Sequence, residues 1–163
     1  NEDDDWQVDL DLGYNHLRPG ILKQVIFTRD HAGVQLNSPD TLLIAGAFSP
    51  NYISGIVSAN IFIRDDQDGT WNQILVYEGD YSSEESYSMR DIEIFMDQVT
   101  GIENLIVSVG TQGIFSGKYN PEIDGKIEMV TLPEFGPLGT RPLGITTAND
   151  QLYFSSGSKI FTA

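Results

Sequence analysis

Three polar residues that end short apolar segments are the first candidates for chemistry in this sequence. Asp30, Asp97 and Asn149 each close a stretch that is rich in β-forming residues. Carboxylate and amide oxygens at equivalent positions of a repeat could together coordinate a cation or bind a polar ligand. Alternatively, each side chain caps its own turn by accepting hydrogen bonds from the backbone. Arg90 and Arg141 are the basic residues that we add as candidates for ligand binding.

The acidic turn that runs from Asp65 to Gly69 is the strongest candidate for a metal site. Asp65, Asp66 and Asp68 alternate with polar residues before the glycine. Oxygen-rich turns of this kind suit Ca²⁺, which takes about six to eight hard oxygen ligands. The spacing is not that of an EF-hand, since Tyr77 stands where the bidentate Glu is required. A β-hairpin turn with solvated carboxylates is the alternative, so no cofactor is required and Ca²⁺ is the one that would fit.

The sequence contains no familiar catalytic motif. A Gly-x-Ser-x-Gly elbow, a His-Glu-x-x-His pair and a phosphate-binding loop are all absent. The two histidines, His16 and His31, have no second metal ligand at a recognised spacing. Because there is no cysteine, thiolate nucleophiles, disulfides and cysteine-ligated metals are excluded. The absence of these motifs favours a non-enzymatic protein. It does not decide whether the protein has an enzymatic activity.

A seven-residue sequence pattern that occurs three times indicates the β-strands that position these candidate residues. It consists of a polar residue, a leucine, two bulky apolar residues, and small residues at the fifth and seventh positions. The copies are Thr41–Ala47, Asn104–Gly110 and Gln151–Gly157. Each is followed by an Ile-Phe pair, namely Ile61-Phe62, Ile114-Phe115 and Ile160-Phe161. Repetition of a strand-rich unit predicts a repeat fold, and a β-propeller is the leading candidate.

Around the three copies, the sequence predicts successive β-strands. They are expected near 22–29, 41–48, 58–65, 70–78, 89–96, 103–110, 113–119, 126–132, 142–148 and 151–156, with a last one from Lys159. His31–Asp40 is predicted to be a loop. The bulky residues of the pattern (Leu43, Ile44, Ile106, Val107, Tyr153 and Phe154) are predicted to pack between neighbouring sheets, while the small ones relieve crowding near an axis.

The predicted domain organisation is a single all-β repeat unit over 1–163. Its parts are an outer strand at 6–12, a blade at 21–79, a blade at 88–133 and a partial blade at 141–163. Trp6–Leu12 alternates polar and apolar residues, which is typical of a half-buried strand. The predicted fold is therefore an incomplete β-propeller of about two and three-quarter four-stranded blades. A β-sandwich is the alternative.

Two stretches resemble known propeller motifs. The hairpin 66–71 resembles the Asp-box of sialidase-like propellers, Ser-x-Asp-x-Gly-x-Thr-Trp, with Asp66, Thr70 and Trp71 in register. Arg64 replaces the serine and Gly69 comes one position late. Because the Asp-box is a structural turn, this likeness implies a fold and no activity. Arg141–Ile145 with Leu152-Tyr153-Phe154 and Gly157 is similar to a strand pair of lactonase-like and NHL-like propellers, which often hold a central Ca²⁺.

Composition narrows the range of partners. The 24 acidic and 9 basic residues give a net charge of −15, which repels nucleic acid. No apolar run is long enough for a transmembrane helix. An open stack of this size would expose apolar sheet faces and strand edges, which promote association. We therefore expect other protein chains, or the remainder of a longer chain, to complete the ring.

Two functions remain open at this stage. The preferred one is a non-enzymatic extracellular or cell-envelope module that mediates assembly or binds a glycan or protein partner. The alternative is part of a Ca²⁺-dependent propeller hydrolase, either lactonase-like or glycoside-cleaving. The hydrolase would need a central cation with acid and base groups near it, for which Asp30, Asp97 and Asn149 are the repeat-related candidates.

Overall fold

The computed structural model describes residues 18–51, 54–130, 142–156 and 158–162, which form an all-β structure. The strands of this part of the chain are β1 (Arg18–Arg29), β2 (Gln35–Asn51), β3 (Ile56–Arg64), β4 (Trp71–Asp80), β5 (Met89–Met96), β6 (Glu103–Val109), β7 (Gly113–Tyr119), β8 (Ile127–Met129), β9 (Pro142–Ala148), β10 (Gln151–Ser156) and β11 (Lys159–Thr162). A single 3-10 turn, Gly110–Gln112, connects β6 to β7. Among the described residues, no helix has the length and apolar character needed to cross a membrane.

The strands form three antiparallel sheets in which consecutive strands are neighbours. Sheet A contains β1 to β4, sheet B contains β5 to β8, and sheet C contains β9 to β11. The first strands of the sheets lie next to one another, because β1 contacts β5 and β5 contacts β9. At the other side of the molecule, β4 contacts β8.

Sheet B lies between the other two sheets, and its central strand shows this most clearly. Every residue of β6 is buried, including the polar residues Glu103, Asn104 and Ser108. Leu105 and Val107 belong to the cluster that packs against sheet A, whereas Ile106 belongs to the cluster that packs against sheet C. The repeated pattern thus marks the second strand of each sheet, where a leucine and a further apolar residue face the core.

Each first strand contains a β-bulge opposite the small residues of the pattern. The extra residue is Gly20 in β1, Arg90 in β5 and Leu143 in β9. In sheet B the Ser108 hydroxyl accepts a hydrogen bond from the Asp91 N–H at 2.9 Å, beside the bulge. In sheet A the residue opposite the bulge is Gly46, where a Cβ would clash with the side chains of Met89 and Ile21.

The structure confirms the all-β class and the predicted order of the strands. The loop predicted over His31–Asp40 is wrong, because β2 already begins at Gln35. The cause is a wide irregularity between Phe27 and Arg29, where four residues of β2 oppose Thr28 alone. β8 is shorter than predicted, since it ends at Met129. The predicted strand 6–12 lies outside the described residues.

The packing prediction holds for four of the six bulky residues. Ile44, Ile106, Val107 and Phe154 are buried in the two clusters between the sheets. It is wrong for Leu43 and Tyr153, which are only half-buried. Side chains alternate along a strand, so these two residues point to the faces of sheets A and C that lie away from sheet B.

Candidate functional site

Asp30 and Asp97 end the first strands of sheets A and B, and their carboxylates close the turns that follow. Asp30 Oδ1 accepts hydrogen bonds from the N–H groups of Ala32 and Val34, at 2.9 and 2.8 Å. Asp97 Oδ1 accepts from the Val99 N–H at 2.8 Å, and its Oδ2 accepts from the Thr100 hydroxyl at 2.7 Å. The hydroxyl of Thr100, and then the Val99 N–H, hold the pKa of Asp97 below its ordinary value.

Asn149 occupies the equivalent position in sheet C but forms a different turn. Asn149 and Asp150 both have left-handed backbone conformations, with φ of 50° and 61°. They make a two-residue connection between β9 and β10, of the kind that matches the twist of a hairpin. Asn and Asp tolerate this conformation better than other residues with a side chain, which explains their use here.

The candidate metal turn shares one side-chain hydrogen bond with the Asp97 turn, from the N–H two residues further on to the first carboxylate. Asp65 Oδ1 accepts from the Gln67 N–H at 2.7 Å, and Asp68 Oδ1 accepts from the N–H and hydroxyl of Thr70. The Thr70 hydroxyl in particular lowers the pKa of Asp68. Asp66 lies 3.9 Å from a guanidinium nitrogen of Arg64. Within the described residues, no three His, Asp or Glu side chains form a group that could hold a metal ion.

The turns after β1 and β5 pack directly against each other. Gly33, which has a φ of 79°, lies beside the carbonyl oxygens of Thr100 and Gly101, where a Cβ would come within 3.2 and 3.3 Å of them. Only glycine fits this close approach without strain. The structure therefore places the turns of Asp30 and Asp97 side by side, although each carboxylate is engaged within its own turn.

Asp97 and Asn149 line two neighbouring cavities, which we call the B–C groove. One lies between sheets B and C, and the other lies on the face of sheet B that is turned toward sheet C. One cavity has a volume of about 270 Å³ and the other about 140 Å³, and Phe95 lines both. The first is lined by Ile94, Phe95, Met96, Thr147, Ala148, Asn149 and Asp150. The second is lined by Phe95, Asp97, Thr100, Ile102, Asn104, Ile106 and Lys118.

The B–C groove is lined by both apolar and polar side chains. The positive charge of Lys118 contributes to the low pKa of Asp97. Asn104 is almost fully buried, and its amide nitrogen donates to the Ile102 carbonyl at 3.3 Å. An aromatic side chain in the same groove as amide, ammonium and carboxylate groups suits a polar ligand that also has an apolar surface.

Arg90, the basic candidate among the described residues, does not join this groove. Arg90 is the exposed bulge residue near the start of β5, whereas Asp97 follows the end of the same strand. At about 3.3 Å per residue, these positions lie roughly 20 Å apart. Arg141 lies outside the described residues.

A cluster on the first strands was missed by sequence reasoning and connects all three sheets. Lys23 Nζ of β1 lies 3.4 Å from Asp91 Oδ1 and 3.4 Å from Glu93 Oε2 of β5. Asp91 Oδ2 also accepts a hydrogen bond from the Ile145 N–H of β9 at 2.9 Å. The signal in the sequence was a pair of acidic residues, Asp91 and Glu93, that alternate with isoleucines in β5. We call these three side chains the first-strand cluster.

Comparison of the chain with protein-family models, with curated proteins and with solved structures gives no match.

Proposed function

We propose that the chain is a non-catalytic β-propeller-type module of the extracellular space or cell envelope, which acts by assembly with protein partners or by binding a glycan. The observation that carries the proposal is the contrast between the covered middle sheet and the apolar outward faces of sheets A and C. A face of this kind on a stable protein marks an interaction surface.

The stacking of the sheets supports a propeller-type arrangement. Three meandering sheets follow one another, their first strands are adjacent, and each first strand carries a bulge in a similar place. Radial repetition of such sheets is the defining property of propellers. Side chains between successive sheets form two separate apolar clusters, as a repeat fold requires.

The outward faces support an interaction role. On sheet A, Leu22 is 65% exposed and Ile26 is 53% exposed, and both alternate with the buried Val25 and Phe27. On sheet C, Ile160 is 78% exposed. It lines a concave apolar surface together with Gly144, Thr146, Ala148, Tyr153 and Ser155. Association would remove this surface from water at a gain of about 25 cal/mol per Å².

Sedimentation velocity over a range of concentrations tests the assembly role. We expect a mass above 18.1 kDa that rises with concentration. Ile26→Asp should weaken association at least tenfold, because it places a charge in an apolar interface. Val99→Asp is the matched control, since Val99 is 94% exposed but lies on the turn after β5. A monomer at all concentrations that also binds no protein or glycan would overturn the proposal.

Glycan binding is tested at the B–C groove. Asn104→Ala and Lys118→Ala should weaken binding to a glycan array, whereas Lys159→Ala should not, because Lys159 lies outside the groove. If binding occurs and none of these substitutions alters it, the B–C groove is not the glycan site. EDTA should leave the binding and the melting temperature unchanged, since the proposal requires no cation.

A further inference from the structure

Four residues that lie opposite one another on neighbouring strands form a row across sheet B. They are Phe95 of β5, Asn104 of β6, Lys118 of β7 and Glu128 of β8. Directly opposed residues of antiparallel strands project from the same face of a sheet. This face is turned toward sheet C, because Ile106, two positions along β6 from Asn104, belongs to the cluster that packs against sheet C. We call these four residues the cross-strand row.

Three members of the cross-strand row line the B–C groove. Phe95 lines both of its cavities, and Asn104 and Lys118 line the smaller one, of about 140 Å³. Neighbouring strands are about 4.8 Å apart, so the backbone positions of Phe95 and Lys118 are separated by about 10 Å. The groove therefore offers an aromatic, an amide and an ammonium group in that order, over a distance that one sugar ring with a substituent can span.

The carboxylate of Asp97, which also lines the smaller cavity, is engaged within its own turn. It accepts hydrogen bonds from the N–H groups of Val99 and Thr100 and from the Thr100 hydroxyl. The ammonium of Lys118 can donate three hydrogen bonds, and the Lys118 side chain lines a cavity with room for an acceptor. Of the two charged residues in this cavity, Lys118 is thus better able to bind a ligand.

The chemistry of the three groups indicates the kind of ligand. A hydrogen bond from an ammonium group to a carboxylate is roughly twice as strong as one between neutral groups, so Lys118 favours a ligand with a carboxylate. The Asn104 side chain is almost fully buried, and its amide donates to the Ile102 carbonyl at 3.3 Å, which fixes its orientation. An amide can bind a hydroxyl, and an aromatic side chain can cover the C–H face of a sugar ring. A sugar ring that carries hydroxyl groups and a carboxylate satisfies all three.

We propose that the B–C groove binds an acidic glycan through a uronic acid unit. The carboxylate of this unit accepts hydrogen bonds from Lys118, a ring hydroxyl bonds to Asn104, and the C–H face of the ring contacts Phe95. This inference rests on the proposed function as a glycan-binding module, and it names the class of glycan.

Other charges of the protein oppose such a ligand, which makes the inference easy to test. The chain has a net charge of −15. Two acidic residues are near the site, since Glu128 is exposed at the end of the cross-strand row and Asp150 lines the larger cavity. These charges disfavour an anion. A preference for the carboxylate must therefore come from Lys118, so that one substitution should remove it.

Isothermal titration calorimetry with two matched ligands measures this preference. A trimer of galacturonic acid and its methyl ester have the same rings and differ in the charge of their carboxyl groups. We expect the wild type to bind the acid about tenfold more tightly than the ester, because a charged acceptor strengthens the hydrogen bond from Lys118. Sodium acetate should not displace the trimer, since it lacks the ring that contacts Phe95 and Asn104.

Substitutions in the cross-strand row should separate the effect of the charge from that of the ring contact. Lys118→Gln should abolish the preference and Lys118→Arg should keep it, whereas Lys159→Gln, outside the groove, should change neither affinity. Phe95→Leu should weaken the binding of both ligands by the same factor. Glu128→Gln should strengthen the binding of the acid about two- to threefold and leave the ester unchanged, because it removes a repelling charge.

The outcomes separate this inference from the proposed function. Equal affinities for acid and ester in the wild type, or a preference that survives Lys118→Gln, would overturn the inference, while glycan binding itself would stand. Displacement of the trimer by an equal concentration of acetate would indicate a simple anion site and would also overturn it. Binding to neutral glycans of the array alone would have the same consequence. A wild type that binds no glycan at all would overturn the inference and the glycan-binding role together.

Discussion

The interface between sheets A and B and the interface between sheets B and C use the same strand pattern but differ in extent. In the described residues, the A–B cluster contains fifteen buried apolar side chains and the B–C cluster contains five. Both include the leucine of the repeated pattern, as Leu42 and Leu105 in one and Leu152 in the other. The larger interface also receives side chains from all four strands of sheet B, because β8 contributes Ile127.

The A–B interface also has more hydrogen bonds that involve side chains than the B–C interface has, among the described residues. Across the A–B interface, Glu103 accepts hydrogen bonds from the N–H and hydroxyl of Thr28 and from the Arg29 N–H. Asp40 accepts from the Tyr119 hydroxyl and from Lys126 Nζ. Asp91 provides the link to sheet C, through the Ile145 N–H. Sheets A and B are thus joined by the more extensive contact, and sheet C is held by a smaller one.

Substitutions that create a cavity at the same pattern position of each interface are expected to change the free energy of unfolding most. Leu105 and Leu152 hold the same pattern position, and both are fully buried. We expect Leu105→Ala to lower the free energy of unfolding by about 4 kcal/mol and Leu152→Ala by about 2 kcal/mol, because a cavity in the larger cluster collapses less readily. Urea unfolding measures both. Equal losses, or a greater loss for Leu152→Ala, would contradict the difference between the interfaces.

Removal of the Glu103 carboxylate is expected to have the next largest effect. The side chain is buried and satisfies two backbone N–H groups at the irregularity of β1, so Glu103→Ala leaves these donors without an acceptor. We expect a loss of about 2 to 3 kcal/mol in unfolding free energy. Glu78→Ala, on the exposed side of β4, is the control and should change it by less than about 0.5 kcal/mol. Similar losses in both variants would show that the carboxylate does not hold the sheets together.

The strands were predictable because their signals are local. The leucine and the two bulky residues of each pattern form a short apolar run typical of a buried strand, and turn residues such as Asp97 and Gly101 separate the strands. The early start of β2 was not predictable. It depends on an irregularity opposite Thr28 that is stabilised by Glu103, which lies 75 residues further along the chain.

The candidate site was predictable only in part. The sequence identified Asp97 and Asn149, and they line neighbouring cavities because both follow first strands of adjacent sheets. It did not indicate Lys118 or Asn104, which become neighbours only when β6 pairs with β7. The first-strand cluster was missed for the same reason, because Lys23 and Asp91 are 68 residues apart.

A substitution in the first-strand cluster is expected to have a smaller effect on stability. Its effect on hydrogen exchange should be confined largely to sheet C. Asp91→Ala should cost about 1 to 2 kcal/mol, because it removes the acceptor of the Ile145 N–H. Hydrogen exchange should show faster exchange at Ile145 and through β9 to β11, with little change in β1 to β4. Glu93→Ala is the control, since Glu93 contacts Lys23 but no described group of sheet C. Equal protection of Ile145 in the two variants would contradict a link through Asp91.

Acid titration of the Asp40 contact is expected to give the smallest effect. Burial opposes ionisation of this carboxyl, but the hydrogen bonds from Lys126 and Tyr119 outweigh it and lower the pKa below 3.8. A pKa that is lower in the folded state stabilises the fold above the unfolded pKa, and this contribution is lost as the pH falls through the folded pKa. We expect Asp40→Asn to cost about 1 kcal/mol at pH 7, because one charged hydrogen-bond acceptor is replaced by a neutral one. The difference from the wild type should stay constant down to about pH 5 and shrink below about pH 4, near the unfolded pKa. Unfolding in urea from pH 7 to pH 2 measures it, and a difference that does not change with pH would show that the Asp40 charge is not what joins sheets A and B.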